Sequence, residues 1–291
     1  MKAGIITALF SAVVVSVAAS TEPGLGPDDR IITLGAPVTE IIFALGLGDQ
    51  VVAVDQSSIL PPEARSKPQV GYVRSLSAEG ILSLRPTLVI ATEDLGPELA
   101  RRQLAASGVR VVMVGSPTTP AEIEAIIVQL GEVAGRQTAA ARMVQQLRDE
   151  LAVSQFPVEI KRPRVIFLML SPDGGLVPMA AGAEVKADTL IKLAGGENPF
   201  QSFTGYRPVG LESLLRADPD LIVVGFTGDG ADLVRRLVNQ PGWGTLRAVR
   251  RGQIHPVSLG DTLGFGPSLG QAVAQLSGWI QQLPPEPADK K

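Results

Sequence analysis

The stretches LSAEGILSLRPTLVIA (residues 76–91) and VGLESLLRADPDLIVV (residues 209–224) decide the fold. Each passes through a glutamate, a Leu-rich turn of helix, a proline and an unbroken apolar run. Glu79 precedes Pro86 by seven residues, and Glu212 precedes Pro219 by the same seven. A residue before proline is pushed out of helical backbone, so each helix ends there. The apolar run that follows does not alternate with polar residues, which marks a strand covered on both faces, as in a parallel sheet. A Gly-Tyr pair stands upstream of each unit, Gly71-Tyr72 and Gly205-Tyr206. One helix–strand unit thus occurs in each half of the chain, which points to an internal duplication.

Working outward from the first unit, strands are expected at residues 30–34, 51–54, 87–91 and 110–114. Helices are expected at 37–47, 77–84 and 98–107, with Ile41, Ile42 and Leu45 as the apolar face of the first. SSILPPEARSKPQVG (57–71) reads as loop. Beyond residue 120 the pattern changes to two long helical stretches, AEIEAIIVQLGEVAG (121–135) and QTAAARMVQQLRDELAVSQ (137–155). The second lies mid-chain, where a stiff connector belongs. Strands resume at 164–170, 221–224 and 253–257, with helices at 186–194, 230–239 and 268–283. Strands alternating with helices at this spacing give an α/β fold. The expected plan is two Rossmann-like lobes joined by a single long helix, with a ligand cleft between them. Its divisions are a leader at 1–19, an N-terminal lobe at 30–134, a connecting helix at 135–160, a C-terminal lobe at 161–283 and a tail at 284–291.

The chain has 291 residues, 45% hydrophobic and 19% charged, which is the balance of a folded protein. Its net charge of -3, without any Lys/Arg-rich run, argues against a nucleic-acid partner. With no cysteine, disulfides, thiolate zinc sites, iron–sulfur clusters and cysteine nucleophiles are excluded together. A Ser-His-Asp triad would have to run through the one histidine, His255. There is no phosphate-binding G-x-x-x-x-G-K-[ST] motif, and Gly174-Gly175 and Gly195-Gly196 read as turns. The expectation is a binding protein, not an enzyme. At the N-terminus, MKAGIITALFSAVVVSVAAS (1–20) has the charged start, apolar middle and small-residue end of a secretory signal. Cleavage after Ala19 would leave 291 − 19 = 272 residues. Without a cysteine there, a soluble periplasmic protein is expected rather than a lipid-anchored one.

Tyr72 and Tyr206 stand in GYVRSLSAEG (71–80) and GYRPVGLES (205–213), read here as loops entering short helices. Ligands of open α/β sheets bind beside such loops, at the carboxyl ends of the strands. A phenolate is a hard oxygen ligand for ferric iron, and tyrosinate serves as an axial haem ligand. Arg74 would favour the phenolate of Tyr72, or pair with a carboxylate of the ligand. Met179, in GGLVPMAAG (174–182), is the methionine placed in a turn region that a cleft would reach. The bland readings stay open: a packed tyrosine with its hydroxyl satisfied, a methionine filling space, and glutamates favoured near helix starts by the dipole.

These residues resemble the periplasmic haem-binding proteins that feed bacterial haem ABC importers. That family lies within the wider group of helix-linked binding proteins for ferric siderophores, cobalamin and haem. The resemblance runs through RIITLGAPVTEIIFALGLGDQVVAVD (30–55), VGYVRSLSAEGILSLRPTLVIA (70–91), ADTLIKLAGGENPF (187–200), GYRPVGLESLLRADPDLIVV (205–224), PGWGTLRAVRRGQIHPV (241–257) and LGFGPSLGQAV (263–273). It implies capture of ferric haem b, the transported ligand, in an interlobe cleft and delivery to an inner-membrane permease with its ATPase. It implies Tyr72 as the haem-iron axial ligand, Arg74 as its basic neighbour, and Glu79 and Glu212 as docking anchors on the permease. The segment VPMAAGAEVKADTL (177–190) matches one that faces the ligand and in some relatives offers a histidine. None is present here, which leaves Met179, Tyr206, water or no group as the sixth ligand. LGFGPS ends in Ser268 where an arginine is often found, a role Arg207 would take. A monomer with little lobe closure is expected. The alternative on the same scaffold is a ferric-siderophore or cobalamin binder. From other classes, the rivals are an enzyme using His255 as base and an interaction protein with an empty cleft.

Overall fold

The run Ile31–Leu34 forms β1, buried along its whole length, as an unbroken apolar strand between two layers must be. α1 (Ala36–Ala44) follows at once, with proline in its first turn and Val38, Ile41 and Ile42 facing the core. It ends three residues before the expected boundary. The N–H groups of Gly46 and Leu47 fold back onto the carbonyls of Phe43 and Ile42, which turns Leu47 into the core. β2 (Val51–Val54), α2 (Ala78–Ser83), β3 (Leu88–Thr92), α3 (Glu98–Ala106) and β4 (Arg110–Val114) complete the first lobe. Its four strands lie in the order β2-β1-β3-β4, all parallel.

A computed structural model describes residues 24–153, 162–170, 177–227 and 231–284. The expected leader at 1–19 lies outside these residues, as do the last part of the connecting helix (154–160) and nearly all of the tail. α4 (Pro120–Val133) opens with a capping box in which Thr119 and Glu122 satisfy each other's backbone N–H groups. α5 (Gln137–Val153) is the connector, burying Ala140, Val144 and Leu147. It packs between α4 and the last helix of the chain.

The second lobe contains β5 (Val165–Met169), β6 (Met179–Ala181), α6 (Lys186–Leu193), β7 (Tyr206–Pro208), α7 (Leu211–Ala217), β8 (Leu221–Phe226), α8 (Ala231–Val238), α9 (Arg247–Arg250), β9 (Ile254–Ser258), α10 (Leu259–Leu263) and α11 (Leu269–Gln281). Its strand order is β7-β6-β5-β8-β9. β5, β8 and β9 are parallel, whereas β6 and β7 are antiparallel additions. This corrects the reading of Met179 as a turn residue and of Tyr206 as a loop residue: each begins a three-residue strand.

The duplication is visible in backbone detail. β1 pairs with β3 and β3 with β4, as β5 pairs with β8 and β8 with β9. Arg30 O accepts from the N–H groups of Thr87 and Leu88 at 3.0 and 3.3 Å, and Arg164 O accepts from Asp220 and Leu221 at 2.8 and 3.2 Å. Arg85 and Asp218, each immediately before the unit's proline, both adopt positive φ, 51° and 39°. One apolar cluster, from Ile31 and Leu88 through Leu130 and Leu147 to Phe167 and Val223, joins the two sheets through the helices between them. At about 1.5–3 kcal/mol for each large apolar side chain fully buried, this shared core resists wide separation of the lobes.

Candidate functional site

The carboxyl ends of the two sheets face each other. On the first lobe this edge is held by a buried polar network after β1 and β2. Asp55 Oδ1 accepts from Gly35 N at 2.8 Å and from Ser58 Oγ at 2.5 Å, while its Oδ2 accepts from Ser57 N at 2.9 Å. The Ser58 hydroxyl continues to Thr39 and Thr33 through contacts of 2.7 Å each. From the second lobe, the segment after β9 comes down onto this edge. Asp261 reaches Arg65 at 3.5 Å, and the bare Cα face of Gly260 is covered by Ile59. Deeper in the junction, Glu40 of α1 accepts hydrogen bonds from the N–H and the hydroxyl of Ser268, at the start of α11.

Tyr72 lies beside this edge, at the entry to a single 3-10 turn, Val73–Ser75. The turn is strapped to the loop leaving β3: Gly96 N donates to Val73 O at 2.9 Å, and Leu76 N donates to Gly96 O at 2.8 Å. That approach requires glycine, because a Cβ at residue 96 would stand 2.9 Å from Arg74 O. Gly71, at φ 108°, lets the chain double back into the turn, and its carbonyl is tied to Gln56 N at 2.9 Å. The tyrosine so presented is 46% exposed, a large value for an aromatic on a rigid turn. Arg74 is also exposed and forms an ion pair with Asp94 at 3.0 Å. The guanidinium therefore already has a carboxylate partner on its own lobe.

Facing this pair from the second lobe is Lys186, the first residue of α6. Its ammonium turns inward, 3.4 Å from Gly264 O and 5.5 Å from the ring centre of Phe265. Burial pushes the ammonium pKa down to about 8, Asp94 pulls it up and Arg74 pushes it down. Arg74, Asp94 and Lys186 thus form one charge cluster across the cleft. α6 itself is anchored by Asp188, 2% exposed, which accepts from Lys192 at 2.6 Å, Gln201 at 2.8 Å and Asn198 at 3.1 Å. Burial alone would raise the Asp188 carboxyl, but these donors outweigh it and hold it below the usual range.

Met179 pairs with Met169 at the carboxyl end of β5 and is 37% exposed at that edge. Tyr206 pairs with Ala181 at the other end of β6. Its ring is largely buried and its hydroxyl accepts from Ala187 N–H, so burial pushes its pKa up to about 12 despite that bond. It is a phenol tying β7 to α6, which leaves Tyr72 as the exposed tyrosine of the pair. Arg207 is exposed and lies 5.0 Å from the centre of the Phe203 ring. Glu79 and Glu212 are the second residues of α2 and α7, at matching points of the duplicated unit. Both are exposed, and Glu212 pairs with its own-helix neighbour Arg216 at 3.1 Å, a surface pair of little strength.

His255 sits near the start of β9, at the end of the strand away from the cleft. It stacks on Trp279 with ring centres 4.3 Å apart, and burial lowers its pKa. Among the described residues no group of three or more His, Cys, Asp or Glu side chains could hold a metal ion, and no helix is long and apolar enough to cross a membrane. Two cavities, of about 410 and 310 Å³, lie elsewhere, one beside Arg148 and Lys192 and the other beside Glu40 and Glu150. Neither is lined by Tyr72, Arg74 or Lys186. Asp94, Lys186 and the Glu40–Ser268 tie were not singled out from the sequence. The signal for Lys186 was its place in the 177–190 segment, and that for Asp94 was its place just beyond a strand's carboxyl end.

Among solved structures, the chain is similar to the periplasmic heme-binding protein RhuT from Roseiflexus sp. RS-1, with 33% identity and a TM-score of 0.79 over 87% of this chain and 98% of that one. It is 30% identical to the vitamin B12-binding protein of Photorhabdus laumondii, over 67% of this chain and 70% of that protein. It is also 26% identical to an ABC transporter substrate-binding lipoprotein of Bacillus subtilis, YvrC, over 85% of this chain and 78% of that protein. The family model for periplasmic binding proteins matches residues 31–256. The chain therefore belongs to the periplasmic binding protein family, whose members hand a solute to the permease and ATPase of an ABC importer.

Proposed function

We propose that the protein captures ferric haem b in the interlobe cleft and delivers it to its permease. The observation that carries this reading is Tyr72: an exposed phenol on a glycine-anchored turn at the carboxyl edge of a parallel sheet, with Arg74 two residues on. Tyr72 would bind the iron and Arg74 a propionate. Apolar cleft walls would supply most of the affinity, at about 25 cal/mol per Å² of apolar area buried. Met179, 37% exposed beside the carboxyl end of β5, would approach the other face of the ring. Tyr206 and Arg207 line the same lobe and would support the pocket rather than the iron. Similarity to a heme-binding structure at 33% identity supports haem over other solutes.

Glu79 and Glu212, one on each lobe, would dock on arginines of the permease, which then parts the lobes. Residues 1–19 would direct export to the periplasm, where the protein acts as a soluble monomer. Residues 30–134 and 161–283 would be the two lobes, 135–160 the connector and 284–291 a tail. Similarity to a vitamin B12-binding protein favours cobalamin as the second reading. Parallel titrations of residues 20–291 with haemin, cyanocobalamin and a ferric hydroxamate, followed by absorption and tryptophan fluorescence, separate the two. Saturable binding of haemin alone supports the proposal. Saturation by cobalamin or the hydroxamate without haemin overturns it.

A further inference from the structure

Lys186 has an arrangement that the iron-ligand reading does not use. An ammonium carries three donors and no acceptor. Here it has one backbone carbonyl at 3.4 Å, long for a hydrogen bond, and an aromatic face at 5.5 Å. Turning a cation inward costs solvation unless acceptors replace the lost water. The carboxylate that acts on it, Asp94, is already paired with Arg74 at 3.0 Å. The cluster of Arg74, Asp94 and Lys186 therefore holds two cations, one from each lobe, against one anion.

We propose that Lys186 binds a carboxylate of the cargo, so that Lys186 from the C-terminal lobe and Arg74 from the N-terminal lobe together form the anion-receiving end of the cleft. The inference rests on the haem reading, in which the cargo carries two propionates. Asp94 holds Arg74 in position while the cleft is empty, and an incoming carboxylate supplies the acceptor that Lys186 lacks. Because the two cations belong to different lobes, a ligand with two carboxylates bridges them. The anchoring of α6 through Asp188 fixes where the ammonium can reach.

The test compares haemin with haemin dimethyl ester, which keeps the iron and ring but has no free carboxylate, on wild type, Lys186→Met and Lys186→Arg. Charge-assisted hydrogen bonds are worth about ten- to a hundredfold in affinity. The expected result is a loss of that size for haemin in Lys186→Met, near-equal affinity of wild type and Lys186→Met for the diester, and recovery of haemin affinity in Lys186→Arg. Melting temperatures of the variants establish that they fold. Wild-type haemin affinity in Lys186→Met, or equal losses for haemin and the diester, overturns the assignment of Lys186 alone. Absence of saturable haemin binding in wild type overturns the haem reading itself, a separate result.

Discussion

Replacing Glu40 by glutamine tests the interlobe junction through its pH dependence. Glu40 is 9% exposed, and both its oxygens accept from Ser268 across the lobe boundary. Burial pushes its carboxyl up from 4.5 to about 7, Ser268 holds it down, and Glu150 adds a smaller upward push. The folded state thus holds a proton between these two values that the unfolded chain has released. The contribution is most favourable below the unfolded pKa and is lost as pH rises through the folded one. A rise of roughly 2.5 units at about 1.36 kcal/mol each makes the charged group cost about 3 kcal/mol above neutrality. Glu40→Gln keeps an acceptor for Ser268 N–H and removes the charge. Its stability should match wild type below about pH 5 and exceed it by about 3 kcal/mol above about pH 8, roughly 6–12 °C in melting temperature for a chain of this size. Calorimetric melts of both proteins at the two pH values read this difference directly, since all other titrating groups are common to them. A stability difference independent of pH would refute the reasoning.

Three further outcomes are expected. Asp188→Asn removes a buried carboxylate that three side chains donate to; it should destabilise by about 2–3 kcal/mol at neutral pH, read in urea melts. Because the Asp188 carboxyl is held low, that deficit should shrink as pH falls below the ordinary aspartate range; a deficit constant with pH would contradict the account. Arg85→Gly relieves a positive-φ residue whose contact with Arg30 uses only its backbone carbonyl, and should stabilise by about 0.5–1 kcal/mol; a loss would show that the side chain matters. Replacing Glu79 and Glu212 together by alanine should leave haemin affinity unchanged and abolish transport in reconstituted vesicles; weakened haemin binding would refute the division of roles.

The α/β alternation was legible because buried parallel strands are unbroken runs of Val, Ile and Leu. VVAV at 51–54 and RVVMV at 110–114 match β2 and β4 residue for residue, and the other long strands differ by one or two at their ends. The repeated Glu-to-Pro spacing carries real backbone equivalence, down to the positive φ of Arg85 and Asp218. β6 and β7 were missed because three residues hold no period, and the Gly and Pro around Met179 and Tyr206 resemble turn chemistry. The Gly-Tyr turn was visible at Tyr72 because glycine announces unusual backbone. Lys186, Asp94 and Glu40 were not, since side chains that meet only across two lobes leave no spacing in the chain. Ser268 shows the same limit: a serine after a Gly-Pro pair gives no sign that its partner is 228 residues away.

The central claim is that Tyr72 binds the iron. Absorption and electron paramagnetic resonance spectra of the haemin complex, recorded for wild type and Tyr72→Phe, test it most directly. The account predicts a high-spin ferric signal with a tyrosinate charge-transfer band in wild type, and loss of that band with weakened haemin affinity in Tyr72→Phe. The same band and affinity in both proteins would contradict it.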